Sequence, residues 1–194
     1  MANLDSTEQY LRQCQLIVYT ATREGLDLSQ LRIKFSVKRS DTMTPNSAEL
    51  RVYNLAEETA IKIRKEFTKV VLQAGYESNY GVIFQGNIKQ VLLGRENATD
   101  TYIDIVAGDG DNAYNFAIVN TTLAKGSSQT DQINQAINPM QSKGVGPGYI
   151  NLTSTNTLPR GKVMYGNSRN YLRAVAQSAR MGWSIQDGKI NFVP

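Results

Sequence analysis

The chain has 194 residues, no histidine, a single cysteine (Cys14), and 21 basic against 17 acidic side chains. Without histidine the commonest general base and metal ligand at neutral pH are missing, and one cysteine excludes an internal disulfide or a thiolate zinc cluster. The charge is uneven. Residues 1–120 have a balance of −2, and residues 121–194 carry eight basic side chains (Lys125, Lys143, Arg160, Lys162, Arg169, Arg173, Arg180, Lys189) against two acidic ones. These bases are scattered without interleaved aromatics, which suits an acidic protein partner better than a nucleic-acid stacking platform. No segment approaches the roughly 20 apolar residues of a membrane-spanning helix, so the sequence predicts a soluble chain made in a cytoplasm.

In chain order, Gln13–Thr20 is an apolar run suited to a buried strand that contains Cys14, which reads as a small core residue. Leu31–Lys38 alternates strictly, with Leu31, Ile33, Phe35 and Val37 on one face, and predicts a half-buried antiparallel strand. Turn-forming residues 40–46 lead to a similar strand over Ser47–Asn54. Residues Ala56–Phe67 shift to helical period. Glu57 and Glu58 open the helix, and Ala60, Ile63 and Phe67 share a stripe. Strand pattern returns at Val70–Tyr76, continues over Val82–Leu93 past Gly86 (a bulge or close approach), and recurs at Tyr102–Val106. A corner, Gly108–Asp111, precedes a short helical turn through Tyr114 and Phe116 and an extended run over Ala117–Leu123.

After this the period changes. Ser128-Gln129-Thr130-Asp131 reads as a capping box for a helix burying Ile133, Ala136, Ile137 and Met140. A glycine-rich connector, 144–148, leads to a short strand at Tyr149–Leu152, and Thr153–Gly161 is turn-rich. Extended Lys162–Tyr165 precedes a helix over about Ser168–Met181, with Tyr171, Leu172, Val175 and Ala179 inward and Gly182 as its C-terminal cap. Trp183–Gln186, the Asp187-Gly188 turn and Lys189–Val193 predict a hairpin. The expected architecture is mainly β with an α+β second part. Residues 1–124 make an antiparallel β-barrel with one inserted helix, and residues 125–194 make a small α/β module.

No constellation in the sequence carries chemistry, and no catalytic, cofactor-binding or metal-binding residue is predicted. A calcium loop counted from Asp109 would put Asn120 at its twelfth position, which cannot supply the bidentate carboxylate. Asp109 and Asp111 read instead as caps of the following helical turn. The 144–148 loop lacks the Lys-Ser/Thr of a phosphate loop, and Pro147 removes an amide such a loop would use. Glu57, Glu58 and Asp104 are the only candidates for paired carboxylates, and Asp104 reads as an outer-face residue. Tyr10, Tyr19, Tyr53, Tyr76, Tyr80, Tyr102 and Tyr114 form no tight motif and read as barrel and interface residues.

Several segments taken in order resemble the central hub proteins of contractile phage tail baseplates. They are Ser47–Leu55 (SAELRVYNL), Leu72–Tyr76 (LQAGY), Ile83–Ile88 (IFQGNI), Gly108–Tyr114 (GDGDNAY), Asn120–Gly126 (NTTLAKG) and Tyr171–Ile190. The resemblance covers most of the chain and implies a non-enzymatic structural component of the virion. It would be a tail-tube-like barrel protein joining tail tube to central spike as a homotrimeric ring, with DNA only passing through the lumen. Its implied partners are further copies of itself, tube, spike and other baseplate proteins, with no cofactor and no membrane insertion. Hubs of this kind continue into a second barrel that these 194 residues do not contain; another chain supplies it, or the protein is a reduced relative. Two alternatives stand beside the hub. One is a hexameric tube-initiating or distal-tail ring protein, and the other is a tail-associated cell-wall hydrolase, which the missing histidine and missing acid pair disfavour.

Overall fold

A computed structural model of the chain describes residues 11–22, 24–77, 79–152 and 157–193. Tyr10 and residues 153–156 of the turn-rich stretch therefore lie outside the described residues. The chain divides into two compact units, and it crosses between them more than once. The first holds residues up to Lys38 together with Ser47–Gly108, and the second holds Arg39–Asn46 and everything from Asp109 onward. Each has its own hydrophobic core.

The first unit is built on strands β1 (Arg12–Tyr19), β2 (Gly25–Asp27), β3 (Ile33–Lys38), β4 (Ser47–Tyr53), β5 (Lys69–Tyr76), β6 (Asn79–Arg95) and β7 (Thr101–Gly108), with helix α1 (Glu57–Glu66) between β4 and β5. They form one antiparallel sheet in the order β2-β1-β5-β6-β7-β4-β3. Period-two alternation decides which side chains go inward. Ala48, Leu50 and Val52 of β4 lie opposite Ala107, Ile105 and Ile103 of β7, and all six are buried. Leu16, Val18, Val70, Leu72 and Phe84 extend this core. Helix α1 carries acids in its first turn and bases in its last, matching its dipole, and contributes Ala60 and Ile63 with Phe67 just beyond. Its stripe is as the sequence predicts.

The mainly β, antiparallel architecture is the expected one, but the barrel is not closed. Strands β2 and β3 stand at opposite ends of the sheet and do not pair with each other. Closure needs two outer strands long enough to form a staggered ladder, and β2 has three residues. With α1 filling the core from one side, apolar burial does not depend on closure. One consequence falls on the clearest sequence pattern. Leu31, Ile33 and Val37 pack against the core, whereas Phe35 remains 43% exposed because, among the described residues, no strand pairs with the outer side of β3.

Strand β6 carries two register shifts along its ladders: one against β5 at Leu72/Gln73 and one against β7 at Ile88/Gln90. It pairs with β5 through Asn79–Asn87 and with β7 through Asn87–Arg95, so each half has one partnered flank. Gly86 sits where these ladders exchange. A Cβ there would lie 2.6 Å from the Gly108 carbonyl oxygen, so the position is a close approach of backbones.

In the second unit a short helix α2 (Asp111–Phe116) leads to β8 (Ile118–Leu123), which pairs antiparallel with β10 (Lys162–Asn167) in a two-stranded sheet. Between them come helix α3 (Gln129–Gln141) and β9 (Gly146–Ile150); helix α4 (Ser168–Ser178) and the hairpin β11 (Gly182–Gln186) and β12 (Lys189–Val193) follow. The capping box forms as predicted. Ser128 Oγ accepts from Asp131 N–H at 3.1 Å while Asp131 Oδ2 accepts from Ser128 N–H at 2.8 Å. Helices α3 and α4 pack together over Ile133, Met140, Leu172, Trp183 and Phe192, all fully buried.

Two local expectations need correction here. Strand β9 begins inside the expected connector and pairs parallel with β12 as the outer strand of the order β11-β12-β9. Pro147 is tolerated because an outer strand can spare an amide, and a Cβ on Gly148 would meet the Ile190 carbonyl at 2.9 Å. Helix α4 ends earlier than Met181. Arg180 takes the left-handed position (φ 56°), and the amides of Arg180 and Met181 close onto Gln177 and Ala176 carbonyls, so Gly182 is free to open β11. Tyr171 and Ala179, expected inward, are only half-buried, and Ala176 takes the core position instead.

Two substitutions check these backbone arguments by thermal or urea unfolding. Gly86→Ala is expected to destabilise by about 1–3 kcal/mol, because backbone rather than a flexible side chain blocks the methyl. Arg180→Gly is expected to stabilise by up to about 1 kcal/mol, since it relieves left-handed strain at a solvent-facing site.

Candidate functional site

Within the second unit the corner after β7 is held by one carboxylate. Asp109 is 3% exposed, and its Oδ2 and Oδ1 accept from the amides of Asp187 (2.6 Å) and Gly188 (2.9 Å). These two residues form the β11–β12 turn, both at positive φ (51° and 72°), the conformation an Asp-Gly hairpin favours. Residues 39–46 close around the same turn. Arg39 pairs with the Asp187 carboxylate at 2.6 Å, Asn46 donates to Gln186 Oε1 at 2.7 Å, and Gln186 donates to the Ser40 carbonyl at 2.7 Å. The Asp109 amide in turn donates to the Asn46 carbonyl at 2.9 Å.

The aspartates therefore do not cap α2. Gly110 occupies its N-cap at φ 62° with no side-chain hydrogen bond, and Asp111 accepts from Asn115 Nδ2 instead. Asp109 is diverted because its carboxylate is drawn to two aligned turn amides 78 and 79 residues away, a pairing no local pattern encodes. Gly110 is required there: a Cβ would lie 2.7 Å from Val145 Cγ2 and 3.1 Å from Ile185 Cγ2.

On the outer face of the seven-stranded sheet, Arg51 and Asp104 form a bidentate pair at 2.7 and 2.8 Å, placed opposite each other by the β4–β7 register. The Arg51 guanidinium lies 3.8 Å above the Tyr102 ring, Arg32 lies 4.5 Å above Tyr53, and the two tyrosines meet edge to face. Asp104 hydrogen bonding holds the Arg51 guanidinium's pKa above its ordinary value. Arg51 and Arg32 were invisible as partners in the sequence; strand alternation sends Arg51 outward but cannot name Asp104.

None of the candidate reactive groups is brought together with another. Asp104 is committed to Arg51, Glu57 and Glu58 lie exposed on α1, and burial pushes the Cys14 thiol up, away from the nucleophilic thiolate. Among the described residues no cluster of three His, Cys, Asp or Glu could hold a metal ion, and no helix is long and apolar enough to cross a membrane.

What the surface does offer is unpaired strand edge. Strand β3 is an outer strand, as expected. Its register with β4, with the Tyr53 amide bonded to the Arg32 carbonyl, turns the backbone groups of Ile33, Phe35 and Val37 away from the sheet. Strand β6 is paired on one flank along each half, with β5 over Asn79–Asn87 and with β7 over Asn87–Arg95.

No protein-family model and no curated sequence matches the chain. Its fold does match solved structures. The 43 kDa tail protein of prophage MuSo2 from Shewanella oneidensis superposes with a TM-score of 0.62 at 9% identity, covering 93% of this chain and 53% of that one. A tail protein from Neisseria meningitidis gives 0.59 at 11% identity, over 93% and 50%. The PdpA–VgrG complex of Francisella gives 0.52 at 10% identity, over 93% and 28%. The chain thus shares the fold of these tail proteins, and it spans about half the length of the Shewanella and Neisseria ones.

Acidity separates the two structural aspartates. Burial, partly offset by the two amides, raises the Asp109 pKa, so its protonated form favours the fold, and this contribution is lost as pH rises from about 4 through the folded value. Asp131 is the reverse case. Its pKa is lowered by hydrogen bonds from Ser128, so its contribution is present above about pH 4 and lost as pH falls through the folded value. Asp109→Ala is expected to cost about 1–3 kcal/mol by stranding two amides. Asp109→Asn should cost less and remove the loss of stability above pH 4, both read from melting temperature against pH.

Proposed function

We propose that this chain is a structural component of a phage tail baseplate, a hub protein that joins tail tube to spike by assembling as a homotrimeric ring. Two things support a tail role: the fold shared with tail proteins, and the segments that resemble baseplate hubs. The observation that carries the ring is the open outer edge of β3. Phe35 is uncovered there and three residues present backbone groups outward, with no proline or bulge in the strand to blunt it. A strand from a neighbouring copy would satisfy those groups and cover Phe35, which is how an open sheet becomes part of a closed ring. A hexameric tube-initiating or distal-tail ring would use the same edge, and the copy number around the tail axis separates the two.

The proposed role is non-catalytic and virion-associated, with tube, spike and neighbouring baseplate proteins as partners and DNA only in transit. Asp104 is held by Arg51 and the buried Asp109 is spent on a turn, which gives both carboxylates structural work.

Electron microscopy of tails carrying the chain is expected to show three copies around the axis; six would favour the tube-like ring, and no tail association would defeat both. Phe35→Asp should leave the unfolding free energy within about 0.5 kcal/mol of the parent, as an exposed substitution does, yet prevent ring incorporation. Purified chain is expected to give no turbidity loss on cell-wall substrate. Hydrolysis abolished by one carboxylate substitution would overturn the structural role.

A further inference from the structure

The two-stranded sheet β8–β10 leaves two outer edges, and they differ. The Ser168 amide donates to the Ala117 carbonyl, which fixes the pairing phase. In that phase Val119, Thr121 and Leu123 bond to β10, and the backbone groups of Ile118, Asn120 and Thr122 point away from it. Likewise Val163 and Tyr165 point outward from β10. On that second edge a side chain takes up the groups of Tyr165. The Tyr171 hydroxyl accepts from the Tyr165 amide at 2.8 Å and donates to the Tyr165 carbonyl at 3.0 Å. The β8 edge has no such guard. Ile118, Asn120 and Thr122 are exposed, their outward backbone groups have no hydrogen-bond partner among the described residues, and the strand contains neither charge nor proline.

The face beside that edge mixes apolar residues with the polar Asn120, Thr122 and Asn167. Ile118, Val163 and Tyr165 stand out of the sheet at 59%, 72% and 73% exposure, with Phe116 at its end. Over residues 121–194 the charge is one-sided. Of the two acids in residues 121–194, Asp187 is paired with Arg39 and Asp131 is committed to the capping box. None of the eight bases of this stretch forms an ion pair among the described residues.

We propose that the β8 edge is a docking site for one extended strand of another tail protein, with apolar residues toward the Ile118–Tyr165 face and an excess of Asp and Glu. Backbone hydrogen bonds to Ile118, Asn120 and Thr122 give the register, the apolar residues of that face give burial, and the unpaired bases select an acidic segment. On the β10 edge Tyr171 occupies the backbone groups of Tyr165, so β8 is the edge whose outward groups are all open. This reading rests on the proposed tail role, and it uses a different edge from the ring contact at β3.

Matched proline variants in assembled tails test it. Asn120→Pro removes an outward amide that makes no bond within the unit, and Val163→Pro does the same on the β10 edge. Asn120→Pro is expected to lower incorporation into tails at least tenfold, and Val163→Pro to leave it unchanged; equal effects, no effect or the reverse order overturn the proposal. Should Asn120→Pro fail to fold by circular dichroism, a photo-crosslinking residue in place of Asn120 in wild-type-like tails gives the second readout. A crosslink to one net-acidic segment of another tail protein supports the site. A crosslink to a second copy of this chain, to a non-acidic segment, or to nothing sinks it. Absence of the unmodified chain from tails would instead defeat the underlying tail role.

Discussion

A buried carboxylate that finds two amides is the constraint on which the second unit depends. Asp109 leaves the seven-stranded sheet at the end of β7 and enters an interior where an unpaired charge would be costly. Its two oxygens each take one amide of the Asp187-Gly188 turn, and this fixes the hairpin that carries Trp183 and Phe192 into the core. The same turn gathers residues 39–46 through Arg39, Asn46 and Gln186. Three stretches distant in sequence are thereby tied at one point. Removing the carboxylate strands the two turn amides, and a neutral amide in its place keeps one acceptor.

Backbone satisfaction is the second organising constraint, and it connects fold to function. An open sheet and a two-stranded sheet both end in strands whose outward N–H and C=O groups need water or a partner. The chain treats these ends differently. At β10 a tyrosine hydroxyl serves both groups of Tyr165. At β3 and β8 no side chain does so, and each open edge stands beside exposed apolar residues, Phe35 in one case and Ile118 in the other. That selective guarding is the physical ground for reading the protein as a component that completes itself by assembly.

Much of this was legible from residues alone because it is local. The 3.6-residue stripe of Ala60, Ile63 and Phe67, the Ser128–Asp131 capping box and the Asp-Gly hairpin each rest on neighbours within a few positions, and each formed. Strand alternation also placed Leu50 and Val52 inward and Asp104 outward. Local signals failed where a distant group competed for the same atoms. The Asp109 carboxylate went to a turn amide rather than to α2, Arg180 rather than Gly182 ended α4, and β9 formed through a Gly-Pro-Gly stretch because β12 supplied the ladder.

By itself, then, the sequence determined the antiparallel, mainly β character and the buried faces of α1 and α3, since periodicity and capping are decided within a turn or two of chain. Only the tertiary structure decided that the large sheet stays open, that β3 and β8 each keep a free edge, and that Arg51 meets Asp104. Those outcomes depend on strand order and register. Register is set by the sum of all pairings across a sheet, and no single segment carries it.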